Sequence, residues 1–73
     1  MEKVNEIFAI RLKKLRTDKN LTLSQLGKEL GVSGVAIGRW ERLARVPTIE
    51  TLVLVANYFN VSADYLVGFN DKN

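Results

Sequence analysis

The side chains that could do covalent chemistry are few in this 73-residue chain. It contains neither histidine nor cysteine, which excludes imidazole acid–base catalysis, a cysteine nucleophile, disulfides and the usual zinc sites. The groups that remain are hydroxyls and carboxylates, among them Ser24, Ser33, Ser62, Glu29, Glu41 and Glu50. No serine has a histidine to activate it, and these carboxylates are spread over different predicted elements. The sequence therefore predicts a protein that is not an enzyme, with no cofactor and no small-molecule substrate.

Charge is the second chemical resource of the chain, and it is unevenly distributed. The net charge is +3, with a pI near 9.5. Residues 1–46 carry ten Lys or Arg against five acids, whereas residues 47–73 carry one base against three acids. A basic half tolerates phosphate, although helix surfaces rich in Lys and Arg are also common for solubility. Charge alone therefore gives nucleic acid only a slight preference.

The length of the chain predicts one domain with one modest core, because a chain this short buries only about 60% of the surface that its unfolded form exposes. We expect one domain over residues 1–73, with an ordered core at about 4–69 and a frayed polar tail at 70–73. No apolar run is long enough to cross a bilayer, and the start lacks the pattern of a signal peptide. The sequence predicts a cytoplasmic protein without a membrane partner.

Five helices and no strands are predicted, so the fold class is all-α. Apolar residues recur at helical spacing in each segment, beginning with Val4, Phe8, Leu12 and Leu15. Residues typical of helix starts precede four of the helices, namely Thr22, Ser33, Thr48 and Ser62. Residues that close helices in a left-handed conformation follow them, as at Asn20, Gly31 and Gly68. The break between helices two and three is too short for anything but a tight turn, which makes the two cross steeply.

This layout resembles the Cro-and-repressor family of helix-turn-helix domains. The fragments that carry the likeness stand in order over nearly the whole chain: RLKKLR at 11–16, LGVS at 30–33, I-x-R-W-E at 37–41, VPTIETL at 46–52 and FNVSADYL at 59–66. The resemblance implies a compact five-helix, lambda-repressor-like fold in which helices two and three form the helix-turn-helix. It also implies a partly buried ion pair between Arg16 and Glu41, which would tie helix one to helix three. Without the resemblance these two residues would be read as solvated charges.

The chain departs from the family where a DNA duplex would lie. A reader of the major groove uses side chains that fork onto base edges, such as Arg on guanine or Gln on adenine. In the family those positions are polar, whereas this chain has Leu23, Gly34, Val35 and Gly38 there, and none of these side chains can donate or accept a hydrogen bond. Ala36 is less informative, because a small residue is ordinary at that position.

These replacements favour an apolar protein interface. Gly34 and Gly38 lie four apart on one helix face, where small residues let another backbone approach. We expect an apolar groove with an arginine rim, the usual composition of a protein interface, formed by Leu23, Gly34, Val35, Gly38, Arg39, Arg42, Leu43 and Val46. The main hypothesis is therefore a protein-binding or self-associating module with an engineered face. Its partner would be a second copy, most simply as a two-fold dimer, or a designed target.

The alternative function is that of the family, a repressor that binds an operator as a dimer. On this hypothesis DNA binding is weakened, and the remaining candidates for DNA contact are Lys28, Arg39, Arg42 and Arg45. Binding to duplexes that depends strongly on salt would favour this alternative, because each neutralised phosphate releases counterions.

The end of helix three admits two structures. The family commonly has glycine where this chain has Leu43. Leu43, Ala44 and Arg45 are good helix formers, so helix three either continues for another turn until Pro47 or ends as in the family with Leu43 strained in a turn.

Overall fold

The computed structural model describes residues 2–71, and over this range it contains five α-helices and no strand. The helices are α1 (Glu2–Asp18), α2 (Leu23–Leu30), α3 (Gly34–Glu41), α4 (Ile49–Phe59) and α5 (Ala63–Val67). The all-α class and the five predicted helices are confirmed. Among the described residues no helix is both long enough and apolar enough to cross a membrane.

Side-chain caps fix where α2, α3, α4 and α5 begin. The hydroxyl of each predicted cap accepts a hydrogen bond from the backbone N–H three residues later, at Thr22, Ser33, Thr48 and Ser62. At α2 the arrangement is reciprocal, since the Gln25 side chain accepts from the Thr22 N–H at 2.8 Å. Such caps satisfy backbone donors that the first helical turn leaves unpaired.

Residues in the left-handed conformation end three of the helices, as their types predicted. Gly31 closes α2 at φ 75°, Asn60 closes α4 at φ 56° and Gly68 closes α5 at φ 91°. Asn20 follows α1 at φ 58°. The start of α2 and the turn between α2 and α3 are thus encoded locally, each by a left-handed residue followed by a cap.

One core joins all five helices. Its fully buried side chains are Phe8 and Leu12 of α1, Leu26 of α2, Ile37 of α3, Val55 of α4 and Leu66 of α5. Leu30, Trp40, Ala56, Phe59 and Tyr65 complete the cluster, and partly buried residues such as Leu23, Ala36 and Leu52 pack against its edge. Because α2 and α3 each contribute one stripe to this core, their opposite faces are left on the surface of the domain.

Helix α3 ends at Glu41, so of the two predicted structures the strained turn is present and the longer helix is wrong. The Leu43 N–H donates to the Trp40 carbonyl at 3.2 Å, and the Ala44 N–H donates to the Arg39 carbonyl at 2.8 Å. This pair of bonds is the Schellman motif, which places the residue after the cap in the left-handed region. Leu43 occupies that position at φ 63°. The backbone forms the turn that a glycine would form without strain, and the left-handed conformation is sterically unfavourable for a leucine.

The predicted polar tail is only partly described. Asn70 and Asp71 lie against α1, where Arg11 donates to the Asn70 carbonyl at 3.0 Å and to an Asp71 carboxylate oxygen at 3.1 Å. Arg11 also donates to the Tyr65 carbonyl, and its guanidinium lies 4.3 Å from the centre of the Tyr65 ring. Residues 72 and 73 of the predicted tail lie outside the described residues.

Candidate nucleic-acid interface

Helices α2 and α3 approach each other through their backbones at Gly27. A Cβ at Gly27 would lie 2.6 Å from the Val32 carbonyl oxygen and 2.9 Å from the Gly34 nitrogen. The Val32 N–H donates to the Gly27 carbonyl at 2.8 Å and closes the turn between the helices. There is no space for a side chain here, so a glycine is required for the two helices to pack at this distance.

Gly34 makes a second close approach at the start of α3. Its Cβ would lie 3.0 Å from the Ser24 Cα and 3.1 Å from the Leu23 carbonyl carbon. Gly34 was predicted to line a groove, and no role was predicted for Gly27. The signal for both was available, because a glycine inside a short helix often marks a close backbone contact.

Part of the predicted apolar groove exists. One shallow depression between the start of α2 and the outer face of α3 is lined by Leu23, Ser24, Gly34, Val35, Gly38 and Arg42. Leu43 and Val46 line a different depression, together with Asn5, Glu6 and Arg45. Arg39 is exposed on α3 and lines neither. The structure thus divides the predicted surface into two sites instead of one.

The residues of the first depression differ in what they offer to a ligand. Val35 is 61% exposed on the first turn of α3, so its methyl groups are available for contact. Leu23 is half-buried and packs against the core. Gly38 is buried beneath the side chains of Arg42 and Leu23. Leu23 is therefore less available to a ligand than Val35, because much of its side chain already packs against the core.

Basic side chains surround this depression and its neighbour. Lys28 lies in the last turn of α2, Arg39 lies in the last turn of α3, Arg42 caps α3 and Arg45 lies in the loop before α4. All four are exposed. Since α2 and α3 share one outer surface, a polyanion lying along this pair would meet positive charge on both helices.

The ion pair expected between Arg16 and Glu41 is present. Arg16 Nε donates to Glu41 Oε2 at 2.7 Å and Nη2 donates to Oε1 at 3.0 Å. Arg16 Nη1 also donates to the Leu21 carbonyl at 2.7 Å, next to the cap of α2. The hydrogen bond with Glu41 and its negative charge raise the pKa of Arg16, while burial opposes this rise. The guanidinium therefore fixes the start of α2 relative to the end of α3.

A short helix, a three-residue turn and a second short helix against it, held on a helical core, define a helix-turn-helix domain. Residues 12–66 match the helix-turn-helix family. The chain belongs to this family, and the predicted resemblance is confirmed.

Two curated relatives illustrate the match. The HTH-type transcriptional activator BcrR of Enterococcus faecalis is 42% identical over 60 residues, which are 82% of this chain and 29% of that protein. An uncharacterized HTH-type transcriptional regulator of Bacillus subtilis, YobD, is 32% identical over 65 residues, which are 89% of this chain and 58% of that protein. The chain therefore spans about half the length of these relatives or less. Both are named as regulators and not as enzymes.

Among solved structures, the chain is similar to the c2 repressor of phage P22 in complex with a synthetic operator. The TM-score is 0.79 and the sequence identity 33%, over 86% of this chain and 96% of that chain. This finding and the names of the relatives overturn the main functional hypothesis. The prediction of a protein-binding or self-associating module is wrong, and the comparisons give no support to an engineered surface or a designed target.

The error has a physical cause. From the sequence, a side chain without a hydrogen-bonding group was taken to be unable to read DNA. Base edges in the major groove also carry the C5-methyl group of thymine, which is recognised by apolar contact. An exposed valine on the first turn of α3 is compatible with such contact, and one of the replacements, Gly34, has a role in packing.

Proposed function

We propose that the chain is the DNA-binding part of a transcriptional regulator and that it binds a duplex with α3 in the major groove. The observation that carries the proposal is the match of the fold, over 86% of this chain, to a repressor solved on its operator. In this class of protein the second helix contacts base edges with its N-terminal residues, while the first helix crosses the backbone. The regulator would act in the cytoplasm, as predicted from the sequence.

The geometry supports different roles for the residues of this surface, with base contacts from α3 and phosphate contacts from residues outside it. The exposed methyl groups of Val35 stand at the N-terminal turn of α3, where base contact is expected, and would meet thymine methyl groups. Arg39 lies one turn later on the same helix and brings a charged fork. Lys28 and Arg45 lie outside α3 and suit backbone phosphates.

A second copy of the chain belongs to the same proposal. A single helix in the major groove reads a few base pairs, and helix-turn-helix proteins commonly bind as dimers to two half-sites about 34 Å apart. Two-fold symmetry of such a dimer would require a pseudo-palindromic operator. The homodimer predicted from the sequence is retained in this form, with DNA as the common partner.

The proposal is tested by selecting duplexes from a randomised pool and titrating the domain with the selected and random duplexes at two salt concentrations. We expect a selected sequence to be bound more tightly than random duplex, with affinity that falls steeply as salt rises. Arg39→Ala should weaken binding, whereas Lys13→Ala removes the same charge from α1, outside the α2–α3 pair, and should have a smaller effect. Equal affinity for all duplexes, or no binding at low salt, would refute the proposal.

A further inference from the structure

The Arg42 side chain folds back along α3 and lies over Gly38. A Cβ at Gly38 would lie 2.9 Å from Arg42 Nη1 and 3.7 Å from its Cζ. Arg42 stands four residues after Gly38, so the guanidinium has turned back by one helical turn. The same point lies 3.4 Å from Leu23 Cδ1, and all three residues line the depression between α2 and α3.

The backbone gives no reason for a glycine at position 38. Its φ angle is not in the positive region, unlike those of Gly31 and Gly68. A glycine inside a helix costs about 1 kcal/mol relative to alanine. The only close neighbour of the missing Cβ is the flexible tip of Arg42, with Leu23 at ordinary contact distance. Space for the guanidinium is therefore the specific consequence of having glycine here.

We propose that Gly38 is a seat for the Arg42 guanidinium and that Arg42, reaching back over it, is a DNA-contacting residue of this face. The inference rests on the proposed function. Position 38 lacks a polar side chain of its own, and Arg42 supplies one from the following turn. A guanidinium fork recognises a pair of acceptors, either two phosphate oxygens or the O6 and N7 atoms of guanine.

Gly38→Ala should change the stability of the protein and its affinity for DNA in opposite directions. Gly38→Ala should raise the melting temperature, because the helix gains an alanine and only a flexible tip must move. The same substitution should weaken binding to the selected duplex several-fold, because the guanidinium is displaced. A variant that merely misfolds would lose stability and binding together.

A double-mutant cycle on the full chain tests the coupling, with fluorescence anisotropy on the duplex that the wild type selects. Arg42→Ala should weaken binding about tenfold, and in that background Gly38→Ala should have no further effect. The matched control is Arg45→Ala, which removes the same charge from the other depression. In the Arg45→Ala background, Gly38→Ala should keep its full effect.

The outcomes distinguish phosphate from guanine as the acceptor. They also distinguish failure of the Gly38 seat from failure of the proposed function. If Arg42→Ala lowers the slope of log affinity against log salt concentration by about one and weakens binding to all duplexes alike, the acceptor is phosphate. If it abolishes the preference for one base at a single base pair, the acceptor is guanine. Unchanged binding by Arg42→Ala, or an equal loss from Gly38→Ala with and without Arg42, would overturn the seat alone. A wild type that selects no duplex would overturn the proposed function and this inference with it.

Discussion

Arg16 and Glu41 join the end of α1 to the last residue of α3 through two parallel hydrogen bonds. The side chains are only 13% and 7% exposed, so both charges are largely withdrawn from water. A two-bond fork of this kind fixes orientation as well as distance. The end of the proposed reading helix is thus held by a residue that has no contact with the reading face.

Removal of one partner of this pair should be costly. Glu41→Ala leaves the Arg16 guanidinium partly buried without its counter-ion, and we expect the free energy of unfolding in urea to fall by about 3 kcal/mol. Asp18→Ala is the matched control, because it breaks the exposed pair with Lys14, and should cost less than about 0.5 kcal/mol. Similar losses of unfolding free energy from the two variants would show that burial of the Arg16–Glu41 pair is unimportant.

A methyl group at Gly27 should separate α2 from α3. Gly27→Ala places a Cβ 2.6 Å from a backbone oxygen that cannot move independently, so we expect a loss of about 1–3 kcal/mol in urea unfolding despite the better helix propensity of alanine. Gly38→Ala adds the same atom against a flexible side chain and should be stabilising. Equal shifts in the two melting curves would contradict the packing described for Gly27.

Glycine at position 43 should stabilise the protein. Leu43→Gly relieves a left-handed conformation that costs a leucine about 1–2 kcal/mol, and this gain exceeds the entropy that glycine adds to the unfolded chain, about 0.5–1 kcal/mol. Differential scanning calorimetry should therefore show a higher melting temperature. Ala44→Gly at the neighbouring position is the control. The φ angle of Ala44 is not positive, so this substitution should lower the melting temperature. A decrease for Leu43→Gly would mean that the leucine side chain contributes more than its backbone costs.

Val35 should distinguish thymine from uracil in the selected duplex. The two bases differ by the C5-methyl group, and burying one such group is worth about 0.8 kcal/mol, or roughly fourfold in affinity. We expect uracil at the contacted position to weaken the wild type by this factor and to leave Val35→Ala nearly unaffected. Anisotropy titrations with uracil placed at each thymine in turn would locate the contact. An equal response of both proteins at every position would exclude a methyl contact by Val35.

Tyr58 should ionise above the ordinary tyrosine range. Burial raises the pKa of Tyr58 first, and the negative charge of Glu29 and its hydrogen bond with the phenol at 3.2 Å add to the rise. Since the folded state holds this proton more tightly than the unfolded state, the contribution to stability is complete below about pH 10 and is lost as the pH rises through the folded pKa. Spectrophotometric titration of Tyr65→Phe isolates Tyr58. Glu29→Gln should then lower the Tyr58 pKa part of the way, because the effect of burial remains.

Local signals made most of the fold predictable. The starts of α2, α3, α4 and α5 were each encoded by a hydroxyl one residue ahead, as at Thr48 and Ser62, and helix ends by residues that tolerate a positive φ, as at Asn60. These signals act within four residues and need no knowledge of tertiary structure. The end of α3 was not decidable in this way, because the helix propensity of Leu43 opposed the left-handed turn that the backbone forms there.

The surface was harder to predict than the core. Leu23 and Val35 are both apolar residues near helix starts, yet the first packs on the core and the second points to solvent. The crossing of α2 and α3 decides which of the two is covered, and that crossing depends on the close backbone approach at Gly27. The function was misjudged for a chemical reason, since hydrogen-bonding capacity was taken as the sole means of base recognition.

The missing side chain at Gly27 has an evolutionary consequence. Contact between main-chain atoms sets the spacing of α2 and α3. Substitutions on the exposed face of α3 therefore leave the position of α3 against α2 unchanged. Target preference can therefore drift by single substitutions while the scaffold stays the same, which allows one ancestral frame to give rise to paralogues with unrelated binding sequences.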